Sequence, residues 1–308
     1  MSATKNDARP DIVGGLRISN PDRIIYPDLG ISKRDVAKYY YAVARWMVPH
    51  VAGRPLTLVH CPGGLSGACR FMKHSKLWGP EVLRRVRIQE KKKVGEYMVA
   101  DDAPGLVALA QMGILEVHTW NSTTDDIEHP NRIVFDLDPG DKVEWRAVVS
   151  AAKLVRQVLS SLGLESFAKT TGGNGLHVVV PLIPAADWSE CLDFSRNIAE
   201  AIERNDPERY TTKFAKEGRE SKILLDYLRN NRTNTSVAAY STRVRANGSV
   251  SFPVTWRDAR TTLDAQRYTI ESVIARLKRM RSDPWKDYWS TEQRLTETMM
   301  KAVDSRVR

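Results

Sequence analysis

Two aspartates separated by a single residue, Asp136 and Asp138, form the pattern with the clearest chemical meaning in this chain of 308 residues. They end a run over residues 132–135 whose β-branched and aromatic side chains predict a buried strand. Because side chains alternate across a strand, the two carboxylates should share one face while Leu137 points to the other. The Pro-Gly pair at residues 139–140 then predicts a turn.

Neighbouring carboxylates repel each other, and both stay ionised only when cations lie beside them. Hard divalent ions are the usual partners of such oxygen ligands, and two ions can clamp a phosphoryl group during transfer. Asp226 is a natural third ligand, because it lies in a second apolar run, residues 222–228, where an unpaired carboxylate would be costly. On the Asp-x-Asp pair alone, solvated turn aspartates are an equally good interpretation.

Three known kinds of site can be compared with this motif. A calcium loop of EF-hand type requires Asp or Asn at its fifth position and Gly at its sixth, but Gly140 and Asp141 stand there. A phosphohydrolase of the haloacid dehalogenase type, with Asp136 as its nucleophile, usually carries a small pair such as Gly-Thr next, so it fits poorly but stays open. A nucleotidyltransferase of the polymerase-β type would need a Gly-Ser just upstream of Asp136, and none is present.

A glycine-rich segment, residues 170–177, joins two predicted strands at residues 166–169 and 178–180. Its backbone can approach a phosphate closely, because glycine has no side chain to block the way. The segment is not a P-loop, since it lacks Gly-Lys-Ser/Thr and leads into a strand rather than a helix. His177 enters that strand from the turn and could donate to phosphate oxygens. Taken alone, such a turn is a weak signal.

Basic residues mark further candidate anion sites. Ser32 predicts the N-cap of a helix that we expect to end at Pro49, and this places Lys33 at a helix N-terminus, where an anion is favoured. On the helix pattern alone, a tolerated surface lysine is the preferred interpretation. An arginine cluster follows the Asp226 strand, where a triphosphate would need forked donors. Its members are Arg229, Arg232, Arg243 and Arg245.

The remaining pattern predicts the elements that must position these residues. We expect helices over residues 144–162, 189–205 and 270–277, the first capped by Asp141 and closed by Gly163. Further short strands are predicted near residues 16–19, 115–120 and 249–254, and the whole reads as mixed α/β. In segment 115–120, His118 shares a face with Glu116, which is more often a structural position than a catalytic one.

The overall composition favours a nucleic-acid partner but does not prove one. A formal net charge of +10 from 47 basic residues suits a polyanion, although simple solubility explains it too. No apolar run approaches the length of a membrane span, and the polar N-terminus does not resemble a signal peptide. Three cysteines argue against a disulfide framework and for a reducing cytosol. The spacing of His60, Cys61, Cys69 and His74 matches no compact zinc pattern.

Four segments taken in order resemble one known family. They read Leu-Glu-Val-His-Thr-Trp-Asn-Ser, Phe-Asp-Leu-Asp-Pro-Gly, Thr-Gly-Gly-Asn-Gly-Leu-His-Val and Leu-Leu-Asp-Tyr-Leu-Arg-Asn-Asn-Arg. Together they resemble the polymerase domain of bacterial ATP-dependent DNA ligase D, in the archaeo-eukaryotic primase superfamily. The resemblance covers residues 14–289, which we expect to form the domain, with a loose N-terminus at 1–13 and a helical tail at 290–308.

The resemblance implies a template-dependent polymerase that fills gaps and extends ends during non-homologous end joining. It implies a mixed α/β fold in which an antiparallel-rich sheet is flanked by helices. The substrates would be NTPs or dNTPs, with ribonucleotides preferred, and two Mn²⁺ or Mg²⁺ ions would assist. The partners would be DNA with a 5′-phosphate and, in a larger ligase D, Ku and the ligase and phosphoesterase domains. The expected location is the bacterial cytoplasm, at the nucleoid, with no membrane contact.

The resemblance also implies roles for individual residues. Asp136, Asp138 and Asp226 match the metal-binding triad. The positions that match nucleotide-binding residues are His118, Thr171, Gly172, Gly173, Asn174, His177, Arg229 and Arg243. Arg23 and Lys33 match the basic pair that holds a DNA 5′-phosphate.

Three positions depart from the family pattern. Thr171 stands where serine is common, which keeps the hydroxyl, and Asn174 replaces a frequent lysine, which weakens the expectation of phosphate binding there. Arg70 and Phe71 replace two adjacent phenylalanines, so a guanidinium would take the place of one ring that stacks on DNA bases. From composition alone, Phe71 could equally be a core residue.

Overall fold

A computed structural model describes residues 11–74, 80–260 and 266–307. Most of the N-terminal segment predicted to be loose, residues 1–13, lies outside these ranges. Its last two residues, Ile12–Val13, form a short strand, and Val13 is buried. Within the described ranges no helix is long and apolar enough to cross a membrane.

Six α-helices lie in the described ranges: α1 (Lys33–Val51), α2 (Ala103–Gln111), α3 (Trp145–Ser161), α4 (Trp188–Asn205), α5 (Ile270–Leu277) and α6 (Glu297–Val307). The predicted start of α1 is confirmed, because Ser32 and Asp35 form a reciprocal capping box. Helix α5 begins after Thr269 with a similar cap and has the predicted bounds. Gly163, at φ +81°, follows α3 as expected.

Two predicted helix boundaries are wrong. Pro49 lies inside α1 and does not end it, because the Ala52 N–H still donates to Val48 O at 2.8 Å and closes the last turn. A proline disturbs the turn before it more than the residues after it. Asp141 does not cap α3, since the N-cap position belongs to Glu144, which makes no side-chain cap hydrogen bond.

The strands are β1 (Ile12–Val13), β2 (Leu16–Arg17), β3 (Ile24–Tyr26), β4 (Ile31–Ser32), β5 (Leu56–His60), β6 (Arg70–Met72), β7 (Arg84–Gln89), β8 (Val94–Val99), β9 (Ile114–Thr119), β10 (Arg132–Pro139), β11 (Phe167–Thr170), β12 (Leu176–Pro181), β13 (Tyr210–Thr211), β14 (Ile223–Asp226), β15 (Ser236–Val237) and β16 (Pro253–Val254). The largest sheet has the order β13-β14-β10-β12-β11-β16 and is antiparallel except for the β13–β14 pair. A second sheet, β15-β9-β5-β6, is antiparallel throughout. The predicted mixed α/β fold with an antiparallel-rich sheet is therefore confirmed.

The large sheet packs against α3 and α4 on one face. The other face, which carries Asp136 and Asp138, is called the chemical face below. Ile133, Phe135 and Leu137 of β10 are buried in one core with Val148 of α3 and Phe194 of α4. Alternation along β10 turns its two aspartates to the other face, as predicted. Burying a large apolar side chain stabilises a fold by roughly 1.5–3 kcal/mol, so this packing fixes which face the carboxylates occupy. A second core lies around α1, α2 and the four-stranded sheet.

The expectation of no disulfide framework is corrected at one place. Cys61 and Cys69 form a disulfide, and Cys191 is a buried free cysteine. The physical reason is the antiparallel pairing of β5 with β6, in which His60 lies opposite Arg70, so the cysteines just beyond these residues face each other across the hairpin. Both thiols are therefore unavailable to a zinc ion, and His74 instead contacts Glu90.

Candidate active site

A row of four polar side chains crosses the chemical face of the large sheet. In the strand register, Asp226 of β14 lies opposite Asp136 of β10, and Asp136 also lies opposite His177 of β12. His177 in turn lies opposite Lys169 of β11. Directly opposed residues of antiparallel strands project to the same face within contact distance. The sheet register therefore builds the row from segments that are far apart in the sequence.

Two arginines neutralise the carboxylates. Arg229 contacts Asp136 Oδ2 through its Nε at 3.1 Å and Asp226 Oδ2 through its Nη2 at 2.9 Å. Arg219 Nη2 lies 3.3 Å from Asp138 Oδ2. The strand register thus brings Asp136 and Asp226 together, while Asp138 lies two residues along β10, opposite Leu224.

The three carboxyls differ in their electrostatics. Burial works to raise the pKa of Asp136, but His177 and Arg229 outweigh it and hold that pKa well below its usual range. Burial raises the pKa of Asp226 to about 6, Arg229 opposes the rise, and the charge of Asp136 adds to it. Burial and the charge of Asp136 also raise the pKa of Asp138. Two of the three groups therefore sit where additional positive charge would be favourable.

The donor chemistry fits divalent cations. Carboxylates on the neighbouring strands β10 and β14 are hard oxygen ligands, and Arg219 and Arg229 offset part of their repulsion. Among the residues that the structure describes, no group of three or more His, Cys, Asp or Glu side chains is placed so that it could hold a metal ion. Instead, the guanidiniums of Arg219 and Arg229 contact the three carboxylates directly.

Asn230 fixes the turn that carries Arg229. Its Nδ2 donates to Val134 O and its Oδ1 accepts from the Val134 N–H, both at 2.8 Å. The turn is a short 3₁₀ segment, Leu228–Asn230, whose first N–H donates to Asp226 Oδ1 at 2.9 Å. Sequence reasoning missed Asn230, because an asparagine just after a strand is an ordinary turn residue.

His177 and Lys169 complete the row as buried bases. Burial lowers the pKa of His177 to about 4, with the charge of Lys169 acting in the same direction, so this imidazole is neutral near pH 7. His177 Nε2 lies 3.2 Å from Asp136 Oδ1. Burial also holds the pKa of Lys169 well below its usual value, and its Nζ donates to Ser251 Oγ at 2.8 Å. Lys169 was missed as a functional candidate, although a lysine inside an apolar strand is an unusual signal.

The glycine-rich turn lies against the aspartate strand. A Cβ placed on Gly175 would lie 2.4 Å from Leu137 O, so only glycine allows this approach to the residue between the two aspartates. Gly172 adopts φ +71°, which also favours glycine. Thr171 Oγ1 donates to Gly175 O and accepts from the Gly173 N–H, each at 3.1 Å. The predicted triphosphate turn is therefore a closed, rigid loop beside the carboxylates.

Cations rather than Asn174 provide the charge beside this turn. The Asn174 Oδ1 accepts a hydrogen bond from Gln266 at 2.9 Å. Arg245 is exposed, and its Nη2 would lie 3.0 Å from a Cβ on Gly173. Arg243 donates from Nη1 to Thr171 O. Although Asn174 carries no charge, the guanidiniums of Arg243 and Arg245 lie near the turn.

Arg243 also joins the turn to the second sheet. Its Nε lies 3.0 Å from Glu116 Oε1, and Glu116 Oε2 lies 2.9 Å from His118 Nε2. The His118 ring in turn lies 5.8 Å from the Phe71 ring, centroid to centroid. Phe71 on β6 is 71% exposed, so it is not a core residue. Arg70 beside it is also exposed, which leaves both side chains free to meet a flat ligand.

Arg23 and Lys33 lie together at the start of α1. The Lys33 N–H donates to Arg23 O at 2.8 Å, and Lys33 Nζ donates to Ser19 O at 3.0 Å. Burial and the nearby charge of Arg23 lower the pKa of Lys33, which is 7% exposed. Arg23 Nη1 donates to Pro62 O at 2.7 Å. Two cations thus lie together where the free N–H groups of a helix N-terminus also favour an anion.

A comparison with known families agrees with this geometry. The model of the family described as LigD, primase-polymerase domain, matches residues 32–285. The multifunctional non-homologous end joining protein LigD of Pseudomonas aeruginosa is 36% identical over 94% of this chain, and the chain covers 34% of that protein. The bifunctional LigD of Bacillus subtilis is 29% identical over 90% of this chain and is covered to 45%. The chain therefore spans between a third and a half of these relatives.

A solved structure shares the fold. The polymerase domain from Mycobacterium tuberculosis ligase D, determined in complex with DNA, superposes with a TM-score of 0.83 at 30% sequence identity. The match covers 89% of this chain and 98% of that domain.

Proposed function

This chain belongs to the LigD primase-polymerase domain family, and on that premise we propose that it fills gaps and extends ends at DNA double-strand breaks. Members of this domain family are DNA-directed nucleotidyltransferases that use nucleotides and divalent metal ions. The observation that carries the proposal is the pairing of Asp136 with Asp226 on neighbouring strands, with Asp138 and Arg229 beside them. Binding alone would not require three carboxylates on neighbouring strands of a basic protein.

Asp136, Asp138 and Asp226 would hold two ions, Mn²⁺ or Mg²⁺. Such ions lower the pKa of a primer 3′-hydroxyl and neutralise charge on the triphosphate. Asp136 would hold a cation over the widest pH range of the three, because its pKa lies below its usual range while those of Asp138 and Asp226 lie above theirs. Arg229, which contacts Asp136 and Asp226, would donate to phosphate oxygens of the nucleotide.

The neighbouring groups would receive the rest of the nucleotide. Arg243, Arg245 and the closed glycine turn, residues 171–175, would hold the triphosphate. His177 would keep Asp136 in place by donating to Oδ1. His118, held by Glu116, stands between Phe71 and Arg243 and would contact the incoming nucleotide. The preference for ribonucleotides belongs to the proposal on family grounds.

Two further surfaces would hold DNA without reading its sequence. Phe71 and Arg70 are exposed beside His118 and would stack on template bases. Arg23 and Lys33 would bind the 5′-phosphate of the downstream end, which would offset the cost of burying the lysine. In a longer LigD, Ku and the ligase and phosphoesterase domains would be partners, and the protein would act in the cytoplasm at the nucleoid.

Primer extension on a gapped, 5′-phosphorylated duplex tests this function. Ribo- and deoxynucleotides would be compared with Mn²⁺ and with Mg²⁺. We expect Asp138→Ala to abolish extension while leaving binding to the DNA end nearly intact. The matched control is Asp141→Ala, which removes an exposed carboxylate three residues along the chain. Extension that survives Asp138→Ala, or is lost equally in the control, would refute the assignment.

A further inference from the structure

Five arginines surround an open groove at the β16 edge of the large sheet. Two adjoining cavities, of about 590 and 420 Å³, share Arg267, Tyr268 and Arg276. The lining arginines, which define the arginine groove, are Arg257, Arg260, Arg267, Arg276 and Arg279. Asp258 is the one carboxylate among the described lining residues of these cavities. The groove therefore carries a strong local excess of positive charge.

Arg276 is held in place by aromatic packing. Its Cζ lies 5.6 Å from the Phe252 ring and 5.8 Å from the Tyr268 ring, and these two rings stack 4.3 Å apart. Its buried Nε has no hydrogen-bond partner among the described residues. Its Nη2 lies 3.9 Å from Asp258 Oδ2, which is beyond hydrogen-bond distance. Packing thus orients a guanidinium without using its donors.

The other four arginines are exposed and make no ion pair within the described ranges. Arg260 Nε donates to the backbone carbonyl of Arg257 at 2.6 Å, which holds the Arg260 side chain against this turn. Asp258 accepts from Thr255 Oγ1 at 2.9 Å and neutralises little of the groove. Guanidiniums gathered in this way repel one another, and a ligand with several phosphates would relieve the repulsion by forked hydrogen bonds.

The groove is separate from the carboxylate site. Strands β10 and β16 are three steps apart in the sheet, which places them about 14 Å from each other at the usual strand spacing. A bound DNA strand spans that distance. Because Gln266, next to Arg267, donates to Asn174 of the glycine turn, a test of the groove has to separate loss of DNA binding from loss of nucleotide binding. The groove is also too large for one phosphate.

We propose that the arginine groove is a second DNA site, which binds the phosphodiester backbone of the substrate away from its reacting end. This proposal rests on the proposed function, since that function makes DNA the polyanion at hand. The groove would bind DNA independently of sequence and would increase the time that the enzyme stays on an end between nucleotide additions. Its contribution would weaken steeply with salt, because backbone contacts act by releasing counterions.

The double variant Arg267→Ala/Arg279→Ala tests the groove, because both side chains are exposed and the fold does not depend on them. Its matched control is Arg146→Ala/Lys301→Ala, which removes two charges on α3 and α6 from side chains that are 74% and 78% exposed. Fluorescence anisotropy would give the Kd for a labelled, 5′-phosphorylated gapped duplex over a series of salt concentrations. Nucleotide incorporation would be measured on the same DNA at saturating protein.

We expect the groove variant to bind about tenfold more weakly at low salt, and the slope of log K against log salt to become shallower by roughly 2. The control should change neither value by a comparable amount, and incorporation at saturating protein should persist in both variants. An unchanged slope, or an equal loss of DNA affinity in the two variants, would refute the proposal that the arginine groove binds DNA. So would a variant that loses binding of free nucleoside triphosphate but not of DNA. Failure of the wild type to incorporate nucleotides would instead refute the proposed function.

Discussion

Asp136 and Asp226 lie directly opposite each other on two antiparallel strands, and the single guanidinium of Arg229 contacts both carboxylates. Facing carboxylates destabilise a sheet unless a cation intervenes, and here Arg229 supplies that cation. Arg229 is also the side chain that a triphosphate would engage. The metal-free fold and the proposed nucleotide complex would therefore use the same arginine in two ways.

Replacing Arg229 by Ala should destabilise the metal-free protein. We expect the free energy of unfolding to fall by about 1–2 kcal/mol, because two facing carboxylates lose their shared cation while solvent screens part of the effect at a side chain that is 39% exposed. Urea unfolding in the presence of a chelator measures this loss. Arg146→Ala is the matched control, since it removes a guanidinium that is 74% exposed and paired with Glu144 on the surface. Equal effects of the two variants would contradict the bridging role of Arg229.

Replacing Asn230 by Ala should affect both stability and nucleotide use. Two backbone groups of Val134 would lose their partners in a buried place, which should cost about 2–3 kcal/mol of unfolding free energy. Because the turn also holds Arg229, we expect the KM for nucleotide to rise. Asn231→Ala is the control, since that side chain is exposed. A normal KM in a destabilised Asn230 variant would limit Asn230 to a structural role.

Glu116 should make stability depend on pH in the acid range. Burial works to raise its pKa, but His118 and Arg243 outweigh it and lower the pKa to about 2. A carboxyl with a depressed pKa stabilises the fold fully above its unfolded value of 4.5, and this stabilisation disappears as the pH falls towards about 2. We therefore expect Glu116→Gln to lose roughly 2–3 kcal/mol at neutral pH and less in acid.

Unfolding of wild type and Glu116→Gln at several pH values measures this difference. Glu165→Gln is a matched control at an exposed position. If the difference in unfolding free energy between wild type and Glu116→Gln stays constant from neutral pH to pH about 2, the charge of Glu116 is not the source of the stabilisation.

Replacing Lys33 by Ala should weaken binding to 5′-phosphorylated ends selectively. A charge-assisted contact to phosphate contributes about 1.5–3 kcal/mol, so the affinity should fall by about tenfold or more for phosphorylated ends. Competition between duplexes with 5′-phosphate and 5′-hydroxyl ends measures the selectivity. Lys38→Ala, an exposed lysine on the same helix, should leave it unchanged. Equal losses of affinity for 5′-phosphate and 5′-hydroxyl ends would show that Lys33 does not bind the phosphate.

Local sequence patterns predicted much of the fold. The bounds of α5 and the start of α1 followed from capping residues, which act within one turn. The common face of Asp136 and Asp138 followed from the period of a strand. Asp226 could be added because a buried carboxylate needs a cation.

Features set by distant contacts could not be predicted in this way. Nothing local specifies that Asp136 pairs with Asp226 and His177, because strand register is decided by the packing of both faces. For the same reason Lys169 and Asn230 were missed. Counting cysteines failed because a hairpin brings Cys61 and Cys69 together whatever the total number is. The family match, in turn, decides between the polymerase and the phosphohydrolase that the aspartate motif left open.

Arg243 reaches from Glu116 in one sheet to the carbonyl of Thr171 in the other. A base bound near Phe71 and His118 and a phosphate bound at the glycine turn would thus be connected through Arg243. Occupancy at either end would favour occupancy at the other, so fragments such as a free base or pyrophosphate would bind poorly while an intact nucleotide gains from both. The joint between the two sheets would in this way act as a filter for whole monomers.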